Sequence, residues 1–298
     1  MDLSISIVSW NTRGMLDDCL RSVYASTSDL RFEVIVVDNA STDGSPEMVR
    51  ASYPQVKLIQ NDCNAGFARA NNQALRIARG RYFLLLNSDT LVSEGAFARM
   101  VAWMDAHPEV GACGPLLTNA DGSLQPSWAA IPTLATELRG VHDRRVNGID
   151  PSLMSVPQIE KLGPFEVGWV GGACLMARRS AIDTVGPMDE GYFMYCEETD
   201  WCWRIRRAGY SVALFPGSTI THLGGASSRR APLRTLVRME RSRLRFLWRS
   251  SAAARVLYLP LCVLAAARIA LRGGLALLPS NRPAPGSGTR MEEQTDAY

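Results

Sequence analysis

The chain has 298 residues, 47% of them hydrophobic and 20% charged, with a formal net charge of +3. That length and composition suit one large or two small domains with an ordinary core. The nearly balanced charge argues against a nucleic-acid binder, although almost every basic residue is an arginine, Lys57 and Lys161 being the only lysines. Seven cysteines (Cys19, Cys63, Cys113, Cys174, Cys196, Cys202 and Cys262) are an odd number without CxxC pairs, and several lie in apolar runs. They read as reduced core residues of a cytoplasmic protein. The start, "MDLSISIVSW", has an acidic second residue and opens as a strand, not as a signal peptide.

In chain order, "LSISIVSWN" (3–11) alternates and is β-rich, so it reads as a first strand. Residues 12–26 carry apolar positions at 15, 16, 19, 20, 23 and 24, a helical face. "FEVIVVDNAS" (32–41) is a second strand, followed by a helix with Pro46 in its first turn. "VKLIQN" (56–61) is a third strand and "GFARANNQALRIAR" (66–79) a helix. "RYFLLLNSD" (81–89) is a fourth strand and "EGAFARMVAWMDAH" (94–107) a helix. Four strand–helix alternations predict an α/β fold, a mainly parallel doubly wound sheet. After residue 110 the rhythm changes. "VGACGPLLTNADGSL" suggests a strand and a turn, and the proline-rich stretch 126–165 reads as a mobile loop over the active face. Residues 168–186 read as a strand into a short helix. Residues 197–210 read as a helix stopped at Gly209, and 211–224 as two short strands. The tail from about 280, rich in Pro, Gly and Ser, is expected to be disordered.

Ligands of such sheets bind beyond the carboxyl ends of the strands. The polar residues sit at those exits: Ser9 and Asn11 after the first strand, Asp38 and Asn39 after the second, and Asn87, Ser88 and Asp89 after the fourth. One reading of the last triplet is a strand end with a helix N-cap. The other is a ligand site. No GxGxxG or GxxxxGK[ST] loop is present, which disfavours a dinucleotide-binding dehydrogenase or a P-loop kinase. A diphosphate can instead be held by a divalent cation, Mg2+ or Mn2+, for which Asp89 offers a hard oxygen. His222, at the end of a late strand, stands between a structural and a ligating role. The densest signal is "MDEGYFMYCEETDWCWRIRRAG" (188–209), where Asp189, Glu190, Glu197, Glu198 and Asp200 lie among aromatic residues. Clustered carboxylates against an apolar wall raise one another's pKa, which is how a general base is tuned toward neutrality. Helix N-terminal acids facing the macrodipole would explain Glu197 and Glu198 but not the aromatic density.

"SIVSWNT", "VIVVDNASTDGS", "NAGFARANNQAL", "YFLLLNSDT", "DGSLQPS", "WVGGACLMARRSAI", "MDEGYFMYCEETDWCWRIRRAGY" and "ITHLGGAS" follow the order seen in family 2 glycosyltransferases. Over about residues 3–228 the chain resembles the rhamnosyltransferase-like branch of that family. The resemblance implies the GT-A fold, a nucleotide-diphospho-sugar donor (dTDP- or UDP-linked), a divalent cation and inversion at the anomeric carbon. It implies that Asp38 binds the nucleobase with Ser9 beside it, and that Asn11, Asn39, Arg69, Asn71, Asn87 and Ser88 belong to the donor side. Asp89 and His222 would hold the metal. Glu198 aligns with the catalytic acid of the usual Glu-Asp pair, with Asp200 in reserve. Trp169, Gly171, Gly172, Asp189 and Glu197 would face the acceptor. Two departures stand out: Asn-Ser-Asp replaces an Asp-x-Asp triplet, and Glu197-Glu198 replaces Glu-Asp.

Residues 1–228 are thus expected to form the catalytic domain, its donor half ending near 118 and its acceptor half following. Residues 229–279 form a helical extension. There Arg230, Arg234, Arg238, Arg241, Arg245 and Arg249 recur every three or four residues, one stripe of a helix. With the apolar stretch 256–267 this predicts a peripheral association with the inner face of the membrane, suited to a glycan or polyprenyl-diphosphate-linked acceptor. The alternative is a helical pair packed on the catalytic domain. A sugar-nucleotide nucleotidyltransferase and a non-catalytic sugar-binding module are the competing functions. The first usually needs a glycine-rich basic loop, for which "SWNTRGML" is a poor match, and the second needs no carboxylate cluster.

Overall fold

A computed structural model describes residues 1–27, 29–139, 146, 148–150, 153–224 and 232–277. The elements are β1 (Leu3–Ser9), α1 (Arg13–Ser26), β2 (Phe32–Asp38), α2 (Ser45–Ser52), β3 (Lys57–Gln60), α3 (Phe67–Ile77), β4 (Tyr82–Asn87), β5 (Thr90–Val92), α4 (Ala96–Ala106) and β6 (Val110–Thr118). Then come β7 (Leu124–Gln125), β8 (Trp128–Ala129), α5 (Leu134–Leu138), α6 (Val156–Glu160), β9 (Phe165–Glu166), β10 (Trp169–Val170), β11 (Cys174–Arg178), α7 (Arg179–Val185), α8 (Glu197–Arg207) and β12 (Ser211–His222). The helices α9 (Pro232–Ser250), α10 (Ala252–Val256) and α11 (Tyr258–Leu277) follow.

The central strands are covered on both faces, and their alternation sorts side chains between two cores. Val34 and Val36 of β2 and Leu84 and Leu86 of β4 pack with Leu16 and Leu20 of α1 and Phe97 and Met100 of α4. Ile35, Val37, Phe83 and Leu85 face the other way, toward Ala70 and Ala74 of α3 and Trp201 and Ile205 of α8. The serines of "LSISIVS" are inside as well. Ser6 donates to Asn71 Oδ1 at 2.7 Å and Ser4 to Glu33 Oε1 at 2.6 Å, so these buried hydroxyls are satisfied.

The strand order is β3-β2-β1-β4-β11-β6-β12-β5. Neighbours from β3 to β4 are parallel, and so are β6 and β12. β11 runs antiparallel between β4 and β6. The periodicity gives no sign of this insertion, and it matters for the site. Because β11 opposes β4, its first residue, Cys174, pairs with Leu86, so 171–173 arrive beside the exit of β4. Asn87 N–H then donates to Ala173 O at 2.9 Å. Residues 211–222 form one strand, not the expected two, with a register shift between Phe215 and Thr219 that absorbs the Pro216-Gly217 interruption. The described part of 126–165, expected to be a mobile loop, contains β8, α5 and α6.

The arginine stripe does not form one free basic face. Arg245 forms bonds of 2.8–3.1 Å with Asp189, and Arg249 reaches both Asp189 and Asp200. Arg238 lies over the Phe193 ring. A buried quartet, Glu137, Glu240, Arg243 and Arg268, joins α5, α9 and α11 through pairs of 2.6–3.3 Å. α9 and α11 are therefore pinned to the rest of the fold. Arg230 and the tail from 280 lie outside the described residues. Among the described residues no helix is long and apolar enough to cross a membrane. Cys19, Cys113, Cys174 and Cys202 are buried as expected, but Cys63 is exposed and Cys196 and Cys262 half-buried.

Candidate active site

A cavity of about 370 Å³ opens where β1, β4 and β11 meet the N-terminus of α8. The exits of β1 and β4 supply its floor. Thr12 bridges Ser9 and Ser88 by hydroxyl contacts of 3.1 and 3.0 Å, so a relay of three buried or nearly buried hydroxyls underlies this floor. Asn39 lines the cavity, its Oδ1 accepting from Asn61 Nδ2 at 2.9 Å and its backbone N–H donating to Ser9 O. Asp38 is buried below. Its Oδ1 accepts from Ser41 N–H at 2.8 Å, and Oδ2 has no hydrogen-bond partner among the described residues.

Asp89 and His222 meet because β12 pairs with β5, placing His222 opposite Thr90. Asp89 Oδ1 stands 3.2 Å from His222 Nε2. Gln125 decides the imidazole tautomer. Its amide nitrogen donates to Asn119 Oδ1 at 2.9 Å and to His222 O at 3.3 Å, so its oxygen is the atom facing His222 Nδ1, at 2.6 Å. Nδ1 therefore carries a proton, and Nε2 is the nitrogen turned toward Asp89 and Asn87 Nδ2. In the neutral imidazole Nε2 is an acceptor, and with Asp89 Oδ1 it would form a pair suited to a shared cation. Among the described residues no three His, Cys, Asp or Glu side chains are placed to hold one metal ion. The protein thus offers two ligands, with the others to come from diphosphate and water.

The opposite wall carries the glutamates. Tyr195 and Cys196 both have positive φ, 72° and 65°, a turn that delivers Glu197 and Glu198 to the cavity at the first residues of α8. Such backbone is strained for non-glycine residues and persists only when its surroundings hold it. Here Ser242 of α9 donates to Met194 O at 2.8 Å and Phe67 N–H to Phe193 O at 2.8 Å. Gly66, with φ of 82°, makes that approach possible, since a Cβ there would lie 2.4 Å from Phe193 O. Burial pushes the Glu198 carboxyl up to about 7. Burial, then the Glu198 charge, pushes Glu197 well above the usual carboxylate range. Glu197 Oε2 is buried without a partner among the described residues.

The remaining sequence candidates divide. Trp169, Gly171 and Gly172 line the cavity. Asp200 does not: it is fully buried, with Arg204 Nε at 2.8 Å and Arg249 Nε at 3.0 Å. Asp189 is held by Arg245 and the Gly191 N–H. Asn71 is spent on Ser6 and Phe67 O. Arg69 is exposed on α3 and off the cavity. Asn11 ties its loop to Thr42 N–H at 2.8 Å. Sequence reasoning missed Thr12, Gln125, Phe67, Ser127 and Arg238 as lining residues. Gln125 lay in a quoted motif, "DGSLQPS", but only the turn and β12 bring it to His222.

The mostly parallel sheet, with Asp89 and His222 at its strand exits and the Glu197–Glu198 pair at the start of α8 across the cavity, has the architecture of the GT-A glycosyltransferases. Residues 4–186 match the family profile "Glycosyl transferase family 2", and the chain belongs to that family, whose members invert the anomeric centre. It is 31% identical over 260 residues to the N-acetylglucosaminyl-diphospho-decaprenol L-rhamnosyltransferase of Mycobacterium tuberculosis, covering 82% of this chain and 83% of that protein. It is 24% identical over 215 residues to the low-salt glycan biosynthesis hexosyltransferase Agl10 of Haloferax volcanii, covering 71% of this chain and 64% of that protein. Among solved structures, a Pyrobaculum calidifontis mannosyltransferase in complex with GDP-Man and Mn2+ superposes with a TM-score of 0.56 at 19% identity, covering 93% of this chain and 81% of that one. S. aureus TarS 1-349 with UDP-GlcNAc also gives 0.56, at 17% identity, covering 94% and 77%.

Proposed function

We infer that this enzyme transfers a rhamnose-like sugar from a dTDP- or UDP-sugar to a polyprenyl-diphosphate-linked saccharide, in cell-envelope polysaccharide synthesis. The reaction class is carried by one observation: a glutamate with its carboxyl near neutrality faces the Asp89–His222 pair across one cavity. The similarity to the mycobacterial rhamnosyltransferase over most of both chains supports the sugar and the acceptor.

Glu198 is the general base. It takes the proton of the acceptor hydroxyl as that oxygen bonds to the anomeric carbon, and the bond from that carbon to the diphosphate breaks. Glu197, its carboxyl raised by burial and by the Glu198 charge, favours the protonated form beside Glu198 and so limits the charge buried there. Asp38 Oδ2, an orphan acceptor, suits the imino N–H of a pyrimidine. The Ser9–Thr12–Ser88 relay fixes the floor on which the donor lies, and Trp169, Gly171 and Gly172 form the acceptor wall. A divalent cation, Mg2+ or Mn2+, held by Asp89 and His222 would neutralise the leaving diphosphate.

The acceptor's lipid implies a membrane surface. Val256, Leu259, Val263 and Leu271 on α10 and α11 are 69–83% exposed, an apolar stripe suited to shallow insertion at the inner face of the cell membrane. In this reading residues 229–279 act as a membrane-facing extension of the catalytic domain.

A donor screen tests the reading. The purified enzyme with a lipid-linked acceptor should release nucleoside diphosphate from dTDP- or UDP-rhamnose. Release of pyrophosphate would point to a nucleotidyltransferase, and no release with any donor would overturn the assignment.

A further inference from the structure

A second cavity, of about 640 Å³, lies beside the first and shares Phe193, Met194 and Arg238 with it. Its far wall is α9, where Arg238 and Arg241, three residues apart, project on one face. Arg245, which also lines this cavity, is bound to Asp189. Arg243 and Arg249 are bound to carboxylates as well. Among the described residues, Arg238 and Arg241 form no ion pair, and Arg238 is held instead over the Phe193 ring, 4.3 Å from its centroid. Glu190, the acidic residue lining this cavity, already accepts from Asn72 Nδ2 at 3.2 Å and faces Arg76 at 3.9 Å. Trp248 and Tyr258, edge to face at 4.9 Å, also line it. Beyond them Leu259 and Val263 are 77% and 70% exposed.

We propose that this second cavity is the subsite for the diphosphate of the lipid-linked acceptor, with Arg238 and Arg241 as its cationic ligands. The proposal rests on the reading that the acceptor is a polyprenyl diphosphate. In a sugar-1-diphosphate the accepting hydroxyl lies within one sugar ring of the diphosphate, so its subsite must abut the cavity that holds the base. This one does, across Phe193. Guanidinium groups match phosphate oxygens in geometry and charge. The aromatic pair and the exposed apolar residues past it offer the isoprenoid chain a path from the anionic head toward the lipid. Phe193 then separates two diphosphates, the donor's on the Asp89 side and the acceptor's on the α9 side. That division gives the strained 193–196 turn a second use besides presenting Glu198.

The test uses the full chain with UDP and Mg2+ saturating the donor side, so that the probe cannot enter there. Farnesyl diphosphate is titrated by calorimetry, with farnesol as the uncharged control. The wild type should bind farnesyl diphosphate and not farnesol. Arg241→Ala and Arg238→Gln should each weaken that binding tenfold or more, Arg241→Lys should restore part of it, and UDP affinity of Arg241→Ala should stay at the wild-type value. Equal binding by wild type and both variants would overturn the subsite while leaving the lipid-linked reading standing. A wild type that ignores farnesyl diphosphate yet glycosylates a soluble oligosaccharide would overturn both. Displacement of farnesyl diphosphate by phosphatidylglycerol vesicles, with both ligands lost together in Arg241→Ala, would mark a phospholipid headgroup site and overturn the proposal.

Discussion

His222 Nδ1 stands 2.6 Å from Gln125 Oε1, and the amide of Gln125 is oriented by Asn119 and by the His222 carbonyl. Gln125 thereby fixes the imidazole with Nε2 turned toward Asp89. Outer-shell contacts of this kind typically cost ~10–100-fold in metal affinity when removed. Gln125→Leu should raise the Mn2+ concentration for half-maximal activity by that order, with turnover largely recovered at saturating metal. An unchanged metal titration would remove Gln125 from the site.

Glu198→Gln keeps the size of the side chain but cannot take a proton. Turnover should fall ~10²–10⁴-fold with donor affinity nearly unchanged. The carboxylate form prevails above about 7. The wild-type rate should therefore rise with pH through that value and level off on the alkaline side. A rate flat between pH 5 and 9 would argue for another base.

The same raised pKa values predict a stability effect. A carboxyl raised by burial is more protonated in the folded than in the unfolded chain. Its contribution is full below the ordinary carboxylate pKa and is lost as pH rises through the folded value, about 7 for Glu198. Glu197→Gln, which removes one member of the pair, should raise Tm by a few degrees at pH 8 and by little at pH 5. An equal shift at both pH values would show that charge burial is not the cause.

Asp200 separates structure from chemistry. It is fully buried and held by Arg204 and Arg249. Asp200→Asn should cost ~1.5–3 kcal/mol of stability, the range for hydrogen bonds to charged groups. Its loss of turnover per folded molecule should be far smaller than that of Glu198→Gln. The reverse ranking would transfer the base to Asp200.

The quartet of Glu137, Glu240, Arg243 and Arg268 ties three helices together. Arg268→Ala leaves two nearly buried glutamates sharing one arginine. Breaking such a buried network typically costs ~3–5 kcal/mol. Urea unfolding should show a loss of that size, and Arg268→Lys should lose less.

Much of this protein is legible in its sequence because the relevant forces are local. Apolar periodicity located β1 to β4 and the helices between them, since burial on both sheet faces requires it. Chain order placed Asp38, Asn39 and Asn87 to Asp89 at strand exits, and the density of acids and aromatics marked 188–209. What the sequence could not decide depends on partners far away along the chain. Asp200 reads as well as Glu198 until Arg249, 49 residues on, is seen to hold it. The stripe on α9 reads as a free cationic face until Asp189 and Asp200 claim two of its arginines. The antiparallel insertion of β11 leaves no periodic trace, yet it brings 171–173 to Asn87. Local pattern fixes which residues can fold into an element. Whether a charge stands free in a cavity or is neutralised in the packing is set by tertiary neighbours, because electrostatic partnership depends on distance in space and on exclusion of water.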